Sequence, residues 1–418
     1  MRGTDQPRQG PLVGYRVLEL CSTIAGPACA RLFADFGAEV IKIEPREGDS
    51  VRSIGGLDRN VSLYGAGILR NKSTVSINLK AAAGRDLLLS LAEQADIVIE
   101  NFRPGTLERL GLGYDALSAR NPRLVLVRIS GYGQDGPLAA KPGYGAICEA
   151  YAGVRHLTGD PDRPPARTAL AVTDYVTAVY AAFGGLMAVL DAQKTGRGQV
   201  VDTALYEAAF SMMEMVVPDY DRLGLVPTRQ GSRLPGTAPN NLYQAEDGRF
   251  VLVAANNNAV FQRMARAMER DDLAADPRFA TIRARNANHV ALDDEVAAWA
   301  RTLPAATILA RMEAEGVPVS LVNTIADIFS ESHFRQRDML VEVPHPVLGS
   351  VTLHGVVPKL SRTPGEIRHA GRRIGEDTFA VLDRLLGLSQ ADLEKLARDG
   401  IIFQADDPDM SLSAGSVA

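Results

Sequence analysis

One aspartate, Asp174, stands out because it lies between two apolar stretches of the chain. Residues Ala169–Val172 precede it, and Tyr175–Leu190 has the composition of a buried helix. An Asp at a helix start is a common N-cap, and this structural role is the first interpretation. A carboxylate at that place is also stabilised as the anion and can act as a nucleophile in covalent catalysis. The position is therefore compatible with a cap, a nucleophile, or both.

Four cationic side chains lie in or near loops that flank predicted strands. They are Arg70, Lys72, Arg103 and Arg109. Ligands of open α/β sheets bind outside the carboxyl ends of the strands, so these cations could hold an anionic group such as a phosphate. Asn101 and Phe102 could add a polar contact and an apolar face. For any single cation the alternative is a solvated surface charge.

Residues Gly131–Gly136 match the GxGxxG pattern and follow the apolar stretch Leu124–Ile129. A dinucleotide-binding fingerprint requires a long helix directly downstream, with its N-terminus facing the pyrophosphate. Here Pro142 and Gly143 would end such a helix within a turn. We therefore interpret the pattern as a glycine-rich loop at a strand end and not as a NAD site.

The first half of the chain alternates between short, mostly apolar strands and stretches of helical periodicity. The predicted strands are Val17–Cys21, Val40–Ile43, Asp96–Glu100 and Leu124–Ile129. The predicted helices are Pro27–Phe36, Ala81–Ala95 and Tyr114–Arg120. Apolar strands between helices indicate a parallel sheet that is covered on both faces. The predicted fold class is therefore α/β, with a Rossmann-like large domain.

A chain of 418 residues is too long for one ordinary core, and the second half predicts a smaller α/β domain. This domain contains the strand Phe250–Ala254 and the helices Ala259–Arg270, Ala291–Leu303 and Ala305–Glu315. A β pattern follows from Met339, and the helices Thr378–Leu386 and Ala391–Arg398 come last. The predicted organisation is a large domain over 10–217, a linker over 218–241, a small domain over 242–330, a return linker and C-terminal part of the large domain over 331–403, and a flexible tail over 404–418.

Composition limits the environment and the partners. The net charge of −5 gives no general attraction to nucleic acid or to an anionic membrane. The sequence predicts a cytoplasmic protein for three reasons. Its three cysteines include no CxxC pair, and its polar N-terminus lacks a signal-peptide core. The apolar stretch at 175–190 is too short to cross a bilayer. The six histidines are scattered without ligand spacing, so no metal site is predicted.

Ordered motifs extend across nearly the whole chain. They are Leu18–Pro27, Phe36–Glu44, Arg70–Ser73, Glu100–Gly105, Leu107–Gly111, Ser130–Pro137, Pro142–Tyr144, Thr173–Asp174, Lys194–Gln199, Asp276–Phe279, Gly316–Pro318 and Pro358–Leu360. This ordered set resembles the type III CoA-transferase family, which includes formyl-CoA, carnitine and dicarboxylate CoA-transferases and the α-methylacyl-CoA racemases. The resemblance implies a homodimer of interlocked chains, each with a Rossmann-like large domain and a smaller domain.

The resemblance also implies roles for particular residues. Asp174 matches the nucleophile, and the positions of Lys72, Asn101, Phe102 and Arg109 match contacts to CoA. Arg70 and Arg103 are further candidates, for which a surface charge is an equally good interpretation. The remaining site candidates are Ile24, which stands where formyl-type enzymes carry Gln, and Tyr144. Coenzyme A and acyl-CoA are substrates in this hypothesis, and no cofactor is bound permanently.

The activity implied by the resemblance is transfer of CoA from an acyl-CoA to a carboxylic acid, through a mixed anhydride and an aspartyl-CoA thioester on Asp174. Racemases of the family carry a Gly-His-Asp motif where this chain has Gly143, Tyr144 and Gly145, so racemisation is the alternative. Transferases commonly carry an acid after the Tyr, and Gly145 departs from that pattern. A CoA-binding paralogue without catalysis is a further alternative.

Substrate choice within the family rests on fewer residues. A formyl-specific enzyme would show consecutive glycines, whereas Leu234–Asn241 contains one glycine. We therefore favour succinyl-CoA or another short dicarboxyl-CoA as donor, with a small diacid as partner. Arg46 and Arg52 are candidates for binding the free carboxylate, and exposed loop charges are an equally good interpretation of both.

Overall fold

The structure is a computed structural model, and it describes residues 8–405. The N-terminal end through residue 7 and, beyond Ala405, the predicted tail lie outside the described residues. Contacts divide the chain into two units. The larger unit contains the chain up to Val154, Thr168–Pro218, and the chain from His333 onward; the smaller unit contains Arg155–Arg167 and Asp219–Ser332. The segment 155–167 thus belongs to the smaller unit, although it falls inside the predicted large domain.

The strands are labelled in chain order. They are β1 (Arg16–Glu19), β2 (Glu39–Glu44), β3 (Leu57–Asp58), β4 (Val61–Ser62), β5 (Lys72–Ile77), β6 (Ile97–Glu100), β7 (Val125–Ser130), β8 (Val200–Ala204), β9 (Asn240–Gln244), β10 (Phe250–Ala254), β11 (Val319–Leu321), β12 (Leu340–His345), β13 (Gly349–His354) and β14 (Ile402–Phe403).

The helices are labelled in the same way. They are α1 (Ala25–Asp35), α2 (Leu63–Ile68), α3 (Ala82–Ala92), α4 (Thr106–Arg109), α5 (Tyr114–Arg120), α6 (Gly145–Tyr151), α7 (Val172–Thr195), α8 (Leu205–Phe210), α9 (Val216–Leu223), α10 (Asn258–Ala267), α11 (Asp271–Ala275), α12 (Ile282–Ala287), α13 (His289–Ala300), α14 (Ala305–Ala314), α15 (Ile325–Ser330), α16 (Ser332–Gln336), α17 (Thr378–Leu386) and α18 (Gln390–Arg398).

The main sheet of the larger unit has the strand order β14-β5-β2-β1-β6-β7-β8. The strands β5, β2, β1, β6, β7 and β8 run parallel to one another, and β14 pairs with β5 antiparallel at one edge. The chain first builds outward from β1 through β2 to β5 and then returns to place β6 on the other side of β1. This is the doubly wound α/β arrangement, and its switch point lies between β1 and β6.

Apolar cores cover both faces of the sheet, because successive side chains of a strand point to opposite faces. Val17 and Val40 pack in the core that contains α1 and α7, whereas Leu18 and Ile41 pack in the core that contains α3 and α17. The predicted α/β fold class, with a parallel sheet covered on both faces, is confirmed.

Three details of the larger unit differ from the sequence-based expectation. Strands β5 and β8 were not predicted, because polar residues such as Lys72 and Asp202 interrupt their apolar pattern. Helix α7 spans 24 residues, not the 16 of the apolar stretch 175–190, and by length and composition alone it could cross a membrane. One face of α7 packs in the core beside α1, where Gly185 approaches Phe33 and Val127, so it serves as a core helix.

The smaller unit has an antiparallel sheet of the order β11-β10-β9. Val251 and Val253 of β10 point to a core formed with α10, α13 and α14. The predicted strand Phe250–Ala254 is found with the same bounds. The Pro-rich segment 218–241, expected to be a linker, is irregular only between the end of α9 and the start of β9.

Candidate active site

The loops at the switch point are tied to each other by hydrogen bonds. The backbone N–H of Ser22, after β1, donates to Oδ1 of Asn101 at 2.9 Å, and Nδ2 of Asn101, after β6, donates to the Ser22 carbonyl at 2.8 Å. Ligands of doubly wound sheets bind in the crevice at this point. Asn101 is thus at the place where a ligand is expected, with its side chain fixed.

The loop that follows β6 carries most of the predicted ligand contacts. Asn101 and Phe102 are half-buried, whereas Arg103 and Arg109 are exposed. The Arg109 guanidinium donates to Oγ1 of Thr106 at 2.8 Å within the short helix α4. The structure therefore brings these four predicted residues together on one loop and one helical turn.

An ion network of buried Arg128 and Glu100 with exposed Glu108 lies beside this loop, and sequence analysis did not single it out. Arg128 of β7 pairs with Glu100 at 2.7 Å and with Glu108 at 2.7 Å. Oε2 of Glu100 also accepts a hydrogen bond of 2.8 Å from the backbone N–H of Phe102. Burial raises the pKa of Glu100, although the bonds with Arg128 oppose that shift. The network holds the start of the loop and α4 in place. The sequence feature that could have indicated this network is Arg128, a lone charge in an apolar strand.

A second buried network supports the loop after β1. Nζ of Lys42 lies 2.8 Å from Oε1 of Glu19 and 2.8 Å from Oδ2 of Asp49. Burial disfavours the charge of Lys42, but Glu19 and Asp49 together raise its pKa above the ordinary value. Oδ1 of Asp49 accepts from the backbone N–H of Thr23 at 2.9 Å, and Lys42 donates to the Cys21 carbonyl at 2.8 Å.

Thr23 has a φ of +72°, which is a strained conformation for a β-branched residue. The Lys42 network therefore fixes a strained loop, and Ile24 follows directly as the half-buried N-cap of α1.

Arg70 and Lys72 occupy different surroundings from the exposed arginines. Both side chains are fully buried. Lys72 is 2.7 Å from Oε2 of Glu19 and donates to the Pro27 carbonyl at 2.7 Å. Arg70 forms two hydrogen bonds to Asp35, of 3.0 and 2.7 Å. Because both side chains are paired with buried carboxylates, we do not retain Arg70 and Lys72 among the proposed ligand contacts.

Asp174 is half-buried in the first turn of α7. The N-cap of this helix is Ala171, so the predicted cap role of Asp174 is wrong. The carboxylate still lies where the helix dipole stabilises an anion. It lies directly against Gly145, the first residue of α6, and close to Cys148 and Tyr64.

The groups around Asp174 are themselves held in their neutral forms. Burial raises the pKa of the Cys148 thiol to about 11, and the negative charge of Asp174 adds to the effect. Burial also raises the pKa of Tyr64, whose hydroxyl shares a 2.9 Å hydrogen bond with that of Tyr175. Ile24, Tyr64 and Tyr175 pack against the same apolar core. Asp174 is therefore placed beside neutral, partly apolar groups, which suits a nucleophile that must avoid water.

The remaining predicted site residues are Arg52, Arg46 and Tyr144, which lie in three different surroundings. Arg52 is paired with Glu44 through two hydrogen bonds of 2.9 and 2.7 Å. Arg46 is exposed, and its guanidinium lies 5.3 Å from the ring centre of Phe403 at the β14 end of the sheet. Tyr144 is 73% exposed and precedes α6.

The loop Gly131–Gly136 is followed by turns, and the next helix, α6, begins only at Gly145. A Cβ at Gly131 would lie 3.0 Å from the Cα of Gly143, so the glycine allows two backbone segments to cross. The interpretation as a structural loop is supported by this packing.

The sheet order defines a doubly wound α/β protein, and the loops after β1 and β6 lie at its switch point, where folds of this kind bind ligands. Residues 12–378 match the family model described as CoA-transferase family III. The chain therefore belongs to CoA-transferase family III, and it is a CoA-transferase. The family resemblance inferred from the motifs is confirmed.

Individual relatives agree with this assignment. The chain is 42% identical over 394 residues to succinyl-CoA--D-citramalate CoA-transferase of Chloroflexus aurantiacus, covering 94% of this chain and 98% of the relative. It is 37% identical to succinyl-CoA:mesaconate CoA-transferase of Haloarcula hispanica, covering 85% and 91%. A crystal structure of a CaiB/BaiF family protein from Brucella suis superposes with a TM-score of 0.81 at 31% identity, covering 90% of this chain and all of that one.

Proposed function

We propose that this CoA-transferase moves CoA from succinyl-CoA, or another short dicarboxyl-CoA, to a small dicarboxylic acid, with Asp174 as the transiently acylated residue. The observation that carries the proposal is the position of Asp174, a carboxylate in the first turn of α7 beside neutral groups. The names of the two relatives support the substrate class, because succinate, citramalate and mesaconate are all short diacids.

The proposed reaction begins with attack of the Asp174 carboxylate on the thioester carbonyl of the donor. The C–S bond breaks, CoA leaves as the thiolate, and a mixed anhydride forms between Asp174 and the donor acyl group. The thiolate then attacks the aspartyl carbonyl, which releases the donor acid and leaves an aspartyl-CoA thioester. The acceptor carboxylate repeats these steps in reverse, so one thioester replaces another and no external energy source is needed.

The loop after β6 is proposed to hold CoA. Exposed Arg103 and Arg109 would pair with CoA phosphates, Phe102 would offer an apolar face to the adenine, and Asn101 would contribute its fixed amide. Ile24 would line the acyl end of the site, where an apolar side chain helps to exclude water from the anhydride. Tyr144 and Gly145 stand where a racemase carries its His and Asp, and the absence of that pair favours transfer over proton movement.

The first experiment follows the covalent intermediate. After incubation with succinyl-CoA and trapping with hydroxylamine, mass spectrometry should find the modification at Asp174. Asp174→Ala should give no adduct and should lose exchange activity by about 10³-fold or more, as expected when a nucleophile is removed. The matched control Asp191→Asn, an exposed carboxylate on the same helix, should retain both signals.

Binding of CoA with neither an adduct nor acid exchange would favour the non-catalytic alternative, and full activity in Asp174→Ala would refute the mechanism. A panel of acids assayed with succinyl-CoA as donor should identify the acceptor. Monoacids that outperform every diacid would contradict the proposed substrate class.

We further propose that the protein is a cytoplasmic homodimer. The face of α7 opposite the core exposes an apolar stripe formed by Val179, Tyr180, Phe183, Met187 and Leu190. Such a contiguous patch is typical of an interface, and a second copy of the chain is the proposed occupant. Analytical ultracentrifugation should show a dimer that Phe183→Glu weakens and that Lys194→Glu, at the polar end of the same helix, leaves intact. A monomeric wild-type protein would contradict this proposal.

A further inference from the structure

Gly145 occupies a position where the backbone does not require glycine. It is the first residue of α6, it is buried, and its φ is not in the left-handed region that favours glycine. Alanine is intrinsically the better helix former, so another cause must account for glycine here.

That cause is the carboxylate of Asp174. A Cβ of ideal geometry at position 145 would lie 2.1 Å from Oδ2 of Asp174, 2.9 Å from its Cγ and 3.3 Å from Oδ1. These three atoms are the nearest neighbours of the missing Cβ, and all belong to the proposed nucleophile. The space that a side chain would fill is the space in which the carboxylate lies.

Helix α6 is fixed where it approaches Asp174. The Cys148 thiol donates to the Gly131 carbonyl at 3.3 Å, which ties the helix to the loop after β7. The Tyr151 ring packs edge-on against Tyr132, with ring centres 5.3 Å apart. A side chain at position 145 therefore could not be accommodated easily by moving α6.

The start of α7 is equally fixed. Thr173 and Thr177, in its first two turns, are buried. Gly185, further along the helix, packs against Val127 and Phe33. With both helices held, the Asp174 side chain is the part that can move, because its carboxylate ends a short chain that can rotate.

We propose that Gly145 is a positioning residue, which admits the Asp174 carboxylate against the first turn of α6 and thereby sets the place from which it attacks the thioester. The inference rests on the proposed function for its catalytic consequence, but its steric part can be tested separately.

The test compares Gly145→Ala with Gly67→Ala. Gly67 is a helical, half-buried glycine whose added methyl would make an ordinary 3.5 Å contact with Leu353. Gly145→Ala should keep its melting temperature, because a rotating carboxylate relieves the clash. Its kcat should fall by about 100-fold, the effect of misplacing a reacting group by about 1 Å, while KM for succinyl-CoA stays close to the wild-type value. Gly67→Ala should match the wild type in all three measurements.

Larger side chains distinguish this role from a need for substrate space. If Gly145 positions Asp174, the first added carbon causes most of the loss, and Gly145→Ser should resemble Gly145→Ala. A loss that grows steadily from Ala to Val and appears mainly in KM would show that position 145 faces the substrate, and it would overturn the inference.

A crystal structure of Gly145→Ala provides a readout that does not depend on activity. The Asp174 carboxylate should be rotated away from its wild-type position, with α6 unchanged. A carboxylate that stays in place, or a variant with wild-type kcat, would overturn the inference. If the carboxylate moves but the wild-type protein exchanges CoA with no acid, the steric assignment stands and the proposed function fails.

Discussion

Charged side chains gather at both ends of the parallel strands in the main sheet, but the two ends use them differently. At the amino ends, Glu39 pairs with Arg8 and Arg16 at 3.0 and 2.7 Å, and Arg70 pairs with Asp35. At the carboxyl ends, the buried networks of Lys42 and Arg128 hold loops on which Arg103 and Arg109 remain exposed.

The difference shows that a cation is available to a ligand where it lies on an exposed loop beyond a strand's carboxyl end, and not where it is buried against a carboxylate. Arg70 precedes β5, whereas Arg103 and Arg109 follow the end of β6. Lys72 begins β5, but its ammonium reaches Glu19 at the end of β1 and joins the buried network of Lys42. Only the carboxyl ends of parallel strands open into the ligand crevice. Arg70 therefore stabilises the fold at the amino ends, whereas the exposed Arg103 and Arg109 are proposed to bind substrate at the carboxyl ends.

The largest expected effect comes from breaking the buried Lys72 pair. Lys72→Met removes one of the two cations that neutralise Glu19, so the free energy of unfolding should fall by about 3–5 kcal/mol. Urea denaturation followed by circular dichroism measures this change. Lys80→Met, which removes an exposed ammonium, should leave the urea midpoint unchanged. A stable Lys72→Met protein with a raised KM for acyl-CoA would reverse the assignment and return Lys72 to the ligand site.

An intermediate effect is expected from the pH dependence of Glu39. Burial alone would raise the pKa of this carboxyl, but the bonds and charges of Arg16, Arg8 and Arg384 lower it from 4.5 to about 2. The stabilisation is fully present above pH 4.5 and is lost as the pH falls toward 2, amounting to on the order of 2–3 kcal/mol.

Glu39→Gln should flatten the fall in stability between pH 4.5 and 2, measured by thermal melts across that range. Glu47→Gln, which alters an exposed carboxylate just beyond β2, should keep the wild-type slope. An unchanged slope in Glu39→Gln would show that other carboxyls govern acid unfolding.

The smallest change in free energy is expected for the loss of an exposed arginine beyond the carboxyl end of β6. Arg109→Ala should raise KM for acyl-CoA by about tenfold, because one charge-assisted bond to a phosphate contributes about 1.5 kcal/mol. Its stability should change by less than about 0.5 kcal/mol. Steady-state kinetics measure the KM, and Arg123→Ala, an exposed arginine just before β7, is the matched control. Equal KM changes in both variants would remove the distinction between the two ends of the sheet.

Local sequence patterns were sufficient for elements whose apolar residues carry the signal. Strand β10 was predicted with its observed bounds, and α1 and β7 within two residues. Strand β5 escaped prediction because its polar groups find partners far along the chain: the backbone N–H of Thr74 donates to Asp377 at 2.8 Å, and that of Ser76 to Thr378 at 3.0 Å. No local pattern reveals such partners.

The positions of the candidate site residues were predictable where they follow a strand that the apolar pattern revealed. Asn101 to Arg109 could be located because they follow an apolar strand that was recognised. Lys72 was placed in a ligand loop because β5 had not been recognised, and its partner Glu19 is 53 residues away (72 − 19 = 53). Gly145 was visible only as a departure from the family pattern, since its relation to Asp174 depends on how α6 and α7 pack.

The antiparallel strand β14 has a consequence for the order in which the chain can fold during synthesis. It supplies the last neighbour of β5, and the side chain of Asn78, just after β5, bonds to the carbonyl of Gly400, 322 residues later. At ribosomal rates these residues emerge roughly 20–60 s after β5. Until then β5 is an unpaired edge, which is a template for association with other nascent chains. The main sheet can therefore be completed only when almost the entire polypeptide has been made.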